Sequence, residues 1–143
     1  MRKPLICAVA PLLAAAQPAN VGRKAGDKKM KILVITGSPR KNSNSGALAA
    51  QFIRGAKEAG HETARFDAAL KNVHPCSACS HCGMDGPCVY QDDFSFVREH
   101  LVPADLVAFA TPMYYFGISA QLKSVIDRFY ALNGKIHVHK GRC

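Results

Sequence analysis

The sequence predicts a doubly wound α/β fold, a parallel sheet between two helical layers (α/β/α). Two short apolar runs, 31–36 and 104–110, read as parallel strands, and the first lacks the polar alternation of a half-solvated strand, as expected of one covered on both faces. Each run leads into a loop of unusual composition and then into a helix with apolar residues at helical spacing. That repeated order builds right-handed crossovers in one sheet. A length of 143 residues suits one domain with its own apolar core.

The elements follow in order. Lys31 to Thr36 forms the first strand. Gly37 to Gly46 is made of turn formers and hydroxyls. The next helix carries Leu48, Phe52, Ala56 and Ala59 and ends near Gly60, which suits its C-terminus. His61 to Asp67 gives a shorter second strand. The segment from Asn72 to Gln91 has no periodicity and is rich in Cys, Gly and Pro, so a functional loop is expected over 73–91. Asp92 and Asp93 offer N-cap character to a helix bearing Phe94, Val97 and Leu101. The third strand, 104–110, runs into Thr111 to Gly117, and a helix follows with Leu122, Val125, Ile126 and Phe129. Lys135 to Lys140 is expected to begin a fourth strand.

The formal charge is +9, but six bases against Asp27 place +5 of it in the first 29 residues, leaving +4 for 30–143. A mildly basic domain suits an anionic ligand such as a nucleotide. It lacks the Lys/Arg stripe interleaved with aromatics that nucleic-acid binding requires. No apolar run is long enough to span a bilayer, so no membrane role is expected. Residues 1–29 are expected to be disordered and outside the fold. Arg2-Lys3 before the apolar stretch Pro4–Ala16 is signal-like, but Pro4 and Pro11 flank a weak apolar centre. An upstream start before Met30 is the favoured reading, with a cytoplasmic location.

In a doubly wound sheet, ligands sit beyond the carboxyl ends of the strands, where both the 37–46 and 111–117 loops emerge. Phosphate at the start of a helix is held by free backbone N–H groups and the helix dipole. Ser38, Ser43, Asn44 and Ser45 supply donors there, and Arg40 adds charge. The loop matches neither the dinucleotide fingerprint nor the ATP-binding P-loop, and an ordinary capped strand-to-helix loop is the alternative. Tyr114-Tyr115-Phe116 admits aromatic core packing, although three adjacent rings cannot all face one core.

Ile35-Thr36-Gly37-Ser38-Pro39-Arg40 with Ser43-Asn44-Ser45, together with Thr111–Gly117, Leu122-Lys123 and Ile126-Asp127-Arg128-Phe129, resembles the NADPH-dependent FMN reductase family. The resemblance covers 30 to about 134 and implies a flavodoxin-like fold. It implies that Ser38, Arg40, Ser43, Asn44 and Ser45 hold the FMN phosphate. By the same resemblance Pro112, Met113, Tyr114, Tyr115, Phe116 and Gly117 wrap the isoalloxazine.

Cys76, Cys79, Cys82 and Cys88 form C-x2-C-x2-C-x5-C. Three cysteines two residues apart let one tight loop wrap an iron–sulfur cluster, and a fourth closes the remaining corner. Structural zinc usually joins two separated knuckles, disulfides do not suit a reducing cytosol, and a loop without metal is the further alternative. The spacing resembles the compact motif of iron–sulfur flavoproteins, in which it binds a 4Fe-4S cluster beside FMN. His74 and His81 are expected to be solvated rather than ligands, and Cys7 and Cys143 lie outside the motif.

The resemblance implies an NAD(P)H-dependent oxidoreductase in which hydride passes to N5 of FMN and electrons leave to a quinone-like acceptor or to the cluster. The cofactors carry that chemistry, so no general acid or base is assigned. An electron carrier without small-molecule turnover, or a non-catalytic fragment, is the alternative. The family continues with two more strands and a helix, so the C-terminal strands are expected to be missing here or replaced by assembly. A homodimer or higher oligomer is implied, with the Cys loop near the interface.

Overall fold

A computed structural model describes residues 28–138; residues 1–27 and 139–143 lie outside the described residues. The strands are β1 (Lys31–Thr36), β2 (Glu62–Asp67) and β3 (Leu106–Ala110), all parallel and ordered β2-β1-β3. Helices α1 (Asn44–Glu58), α2 (Phe94–Leu101), α3 (Ala120–Asp127) and α4 (Asn133–Val138) complete the chain, with single 3-10 turns at Ala68–Leu70 and Arg128–Leu132. The sheet between helical layers is the predicted α/β architecture.

Strand β1 is central because its sequence can be buried on both faces. Ile32 to Thr36 are all buried. Leu33 and Ile35 enter the larger core with Phe66, Phe94, Val97, Leu101, Leu122, Val125 and Leu132. Ile32 and Val34 point the other way, onto Ala49 and Ala56 of α1. Burying each such aliphatic side chain contributes about 1.5–3 kcal/mol, so β1 alone ties both helical layers to the sheet. Leu33 pairs with Ala64 and Val107, and Thr36 with Asp67 and Ala110, which levels the carboxyl ends of all three strands.

Two expectations are corrected. Helix α1 does not bury the Leu48–Phe52 face; both residues are exposed, and Ala49 and Ala56 face the sheet with Ile53 beside them. Small side chains let the helix approach Ile32 and Val34 closely, and the bulkier stripe turns outward. Residues 133–138 form helix α4, not a fourth strand, and the remainder of the expected strand lies outside the described residues. Lys135-Ile136-His137-Val138 alternates like a strand, yet Asn133 has helical φ −57° and ψ −47°, and Ile136 packs on the larger core. Tertiary packing overrides the local pattern. Strand β3 is partly solvated, with Leu106 and Phe109 exposed. Gly60, with φ +78°, ends α1 as expected. Among the described residues, no helix is long and apolar enough to cross a membrane.

Candidate functional site

The loops after β1 and β3 meet at the carboxyl edge of the sheet. The Gly37 N–H donates to the Ala110 carbonyl at 2.9 Å. Ser119, fully buried at the N-cap of α3, completes the seam: its hydroxyl donates to the Gly37 carbonyl at 2.7 Å, and the Leu122 amide donates to it at 3.3 Å. Thr111 Oγ1 accepts from the Ser119 amide at 3.2 Å. A side chain at Gly37 would place Cβ 2.5 Å from Ser119 Oγ and 2.8 Å from both Thr111 Oγ1 and Leu122 Cβ, so glycine is required there. Ser119 was not singled out by sequence, although a serine directly before an apolar helical run is an N-cap signal. Ser119→Ala should cost about 2–3 kcal/mol in denaturant unfolding, since it removes a cap and orphans a buried carbonyl.

Among the predicted phosphate ligands, Ser38 is buried and Arg40 and Asn44 are exposed, with Ser43 and Ser45 between. Ser43 Oγ accepts from the Gly46 amide at 3.0 Å, and Ser38 Oγ accepts from the Arg40 amide at 3.3 Å. In both contacts the hydroxyl serves as acceptor, so its own O–H is left to donate. The Ala47 amide reaches the Ser43 carbonyl, while the Asn44 and Ser45 amides open the helix with no carbonyl one turn earlier. This end of α1 is rich in donors and fits an anionic phosphate. Arg65, which sequence reading passed over, lies 3.7 Å from the position a Cβ on Gly46 would take. Asp67 holds it at 2.8 Å and also accepts from Thr36 Oγ1 at 2.6 Å. Burial, the largest influence, would raise the Asp67 pKa, but the bonds from Arg65 and Thr36 and the nearby cations lower it overall.

The second loop presents its aromatics at a tight turn. Tyr114 and Gly117 exchange backbone hydrogen bonds at 2.8 and 3.0 Å, which leaves Tyr115 at φ +44° and Phe116 at φ +63°. Left-handed backbone at a bulky residue is rare and costs about 1–3 kcal/mol each. Both side chains are also in solvent, at 97% and 91% exposure. Met113 and Tyr114 are exposed as well, and Pro112 is half-buried. A strained turn displaying two solvated rings serves no core. Its apolar flat surface suits an aromatic ring system.

The cysteine loop coils through left-handed residues at Ala78, Ser80, Gly83 and Met84. Asp85 and Gly86 amides turn back to the Cys82 carbonyl at 3.0 and 2.6 Å. All four cysteines are free and line one cavity, together with Arg128, Tyr130 and Ala131. Cys76 and Cys79 are exposed, whereas Cys82 and Cys88 are half-buried. Among the described residues, no three His, Cys, Asp or Glu side chains converge closely enough to hold a metal ion. Tetrahedral zinc needs thiolates about 2.3 Å from a single centre. A cluster binds each thiolate at a different iron, so separated thiols around a common cavity fit it better. The His81 backbone and then the Ser77 hydroxyl hold the Cys79 thiol below its usual pKa, toward the thiolate. His74 stacks on Tyr90 at 4.0 Å in the stem of the loop, while His81 is exposed.

The stem carries contacts that sequence reading missed. The carboxylate of Asp93 accepts from the Asn72 amide at 2.8 Å, and that of Asp92 from the His74 amide at 2.8 Å and the Phe94 amide at 3.1 Å. The pair mainly brackets the loop; Asp93, at the N-cap position of α2, makes no side-chain capping bond. Arg128 is buried against Asp92 as an ion pair. Sequence resemblance placed Arg128 only within the helix after the second loop.

The model of the NADPH-dependent FMN reductase family matches residues 30–141. An iron–sulfur flavoprotein of Methanosarcina thermophila is 38% identical over 106 residues, covering 74% of this chain and 56% of the relative. One from Methanocaldococcus jannaschii is 35% identical over 99 residues, covering 69% and 51%. Among solved structures, an NAD(P)H:quinone oxidoreductase from Methanothermobacter marburgensis superposes with TM-score 0.60 at 22% identity, covering 72% of this chain and 54% of that one. The last likeness shows the fold. The chain spans about half the length of the curated relatives it matches.

Proposed function

Since the chain belongs to the NADPH-dependent FMN reductase family, we propose that 30–143 is an FMN-binding domain of an NAD(P)H-dependent flavoprotein oxidoreductase carrying an iron–sulfur cluster. The observation that carries this reading is the gathering of Cys76, Cys79, Cys82 and Cys88 around one cavity. The names of the M. thermophila and M. jannaschii relatives agree with it. FMN, when bound, supplies hydride acceptance from a nicotinamide and electron release in one- or two-electron steps, and a 4Fe-4S cluster supplies one-electron storage.

The chain's own residues do the positioning. Ser38, Ser43, Asn44 and Ser45 donate to the phosphate, while Arg40 and Arg65 offset its charge. Pro112, Met113, Tyr114, Tyr115, Phe116 and Gly117 cover the ring, and Ser119 fixes the spacing between the two loops. Electrons leave to a small quinone-like acceptor or to the cluster. The setting is cytoplasmic, where thiols stay reduced. A homodimer or higher oligomer belongs to the same reading, as the resemblance to the family implies.

Anaerobic purification with a spectrum and iron and FMN analysis on one sample tests the reading. Flavin bands with broad thiolate-to-iron absorbance are expected, and Cys79→Ser should lose the iron while keeping the flavin. Flavin without iron would remove the cluster, and a folded protein with neither would remove both. Steady-state oxidation of NADH or NADPH separates an enzyme from a pure electron carrier, which shows almost none without its partner.

A further inference from the structure

We infer that Arg128 is a positioning residue for the iron–sulfur cluster, clasping the cysteine loop shut from the end of α3 and setting the cluster's potential. This rests on the cluster reading above. Arg128 is 2% exposed. Its Nη1 donates to the His74 carbonyl at 3.3 Å and to the Asp92 carboxylate, and its Nη2 donates to the Tyr90 carbonyl at 3.2 Å. His74 stands two residues before Cys76, and Tyr90 two after Cys88. One guanidinium therefore holds both stems of the loop, and the entropy of closing it is met before any ligand arrives.

A structural clasp would not need a buried cation. Taking a charge out of water costs several kcal/mol and is recovered only when all its donors are used. Here the guanidinium lies 4.5 Å from the centroid of the Phe94 ring, and Nε is buried without a hydrogen-bond partner. Arg128 also lines the cavity that the four cysteines share. Four thiolates bring negative charge to that cavity, and reduction of a cluster adds more. A cation on the wall favours both the loaded and the reduced states, and Asp92 opposes it. The pair thus offers two handles of opposite sign on one potential.

The test uses the full-length protein, reconstituted anaerobically with ferrous iron and sulfide and titrated potentiometrically. Cluster signals are followed by electron paramagnetic resonance and the flavin by absorbance. Arg128→Gln is expected to move the cluster potential negative and Asp92→Asn to move it positive, with the flavin potential changing less in both. A chelator should strip iron from Arg128→Gln roughly 10–100-fold faster. Arg128→Lys should keep the potential near that of the parent while losing iron faster, and it carries the test should the glutamine variant not fold. Shifts of the same sign, or none, in folded Arg128→Gln and Asp92→Asn, or iron lost no faster than from the parent in Arg128→Lys, would overturn the role of Arg128 and leave the cluster standing. A parent protein that takes up FMN but no iron would overturn both.

Discussion

Arg128→Met is expected to destabilise the protein by about 3–5 kcal/mol in denaturant unfolding near neutral pH, because it leaves Asp92 buried without its counter-charge. The pH dependence gives this loss a signature. Burial is the largest influence on Asp92 and would raise its pKa, but the His74 amide, Arg128 and the Phe94 amide together lower it below 3.8. A carboxyl with a depressed folded pKa contributes stability above its unfolded pKa, and that contribution is lost as pH falls through the folded value. Without Arg128 the carboxyl rises, and the variant no longer loses that increment on acidification. The gap between parent and variant should therefore narrow below about pH 4. A gap that stays constant with pH would show that the cost comes from lost packing over Tyr90 and Phe94 rather than from the ion pair.

Replacing Tyr115-Phe116 with Asn-Gly is expected to do two opposite things. Asn-Gly is the preferred pair for a tight turn with both central residues left-handed. Relief of the strain at φ +44° and +63° should raise stability by about 1–3 kcal/mol, since two nearly fully exposed side chains have little packing to lose. Flavin affinity should fall roughly 10–100-fold, the amount expected for losing aromatic stacking on a flat ring. Thermal unfolding without flavin and fluorescence titration with FMN read the two effects separately. Loss of stability would show that the turn is held by packing, and unchanged affinity would remove these rings from the flavin site.

Much of this arrangement was legible along the chain. The uninterrupted apolar run of β1 predicts a central strand because a strand buried on both faces has no polar side to show. Gly60 marks the end of α1 because its left-handed conformation suits glycine. The donor-rich start of α1 was visible as Ser43-Asn44-Ser45, since the cap geometry there spans only three residues. The stripe through Leu48 and Phe52 misled because α1 is apolar on two sides, and only its fit against Ile32 and Val34 chooses between them. Helix α4 misled because four alternating residues carry little information against the pull of Ile136 into the larger core.

The sequence by itself determined the local elements: a buried parallel strand, a polar loop opening a helix, an aromatic loop, and four cysteines spaced for one compact group. Only the tertiary structure decided what holds them in place. The hydroxyl of Ser119 meets Gly37 across 82 residues, and the guanidinium of Arg128 meets His74, Asp92 and Tyr90 across 54, 36 and 38. Neither set of partners can be read from spacing, because they are brought near by sheet order and helix packing rather than by the short-range geometry that periodicity records.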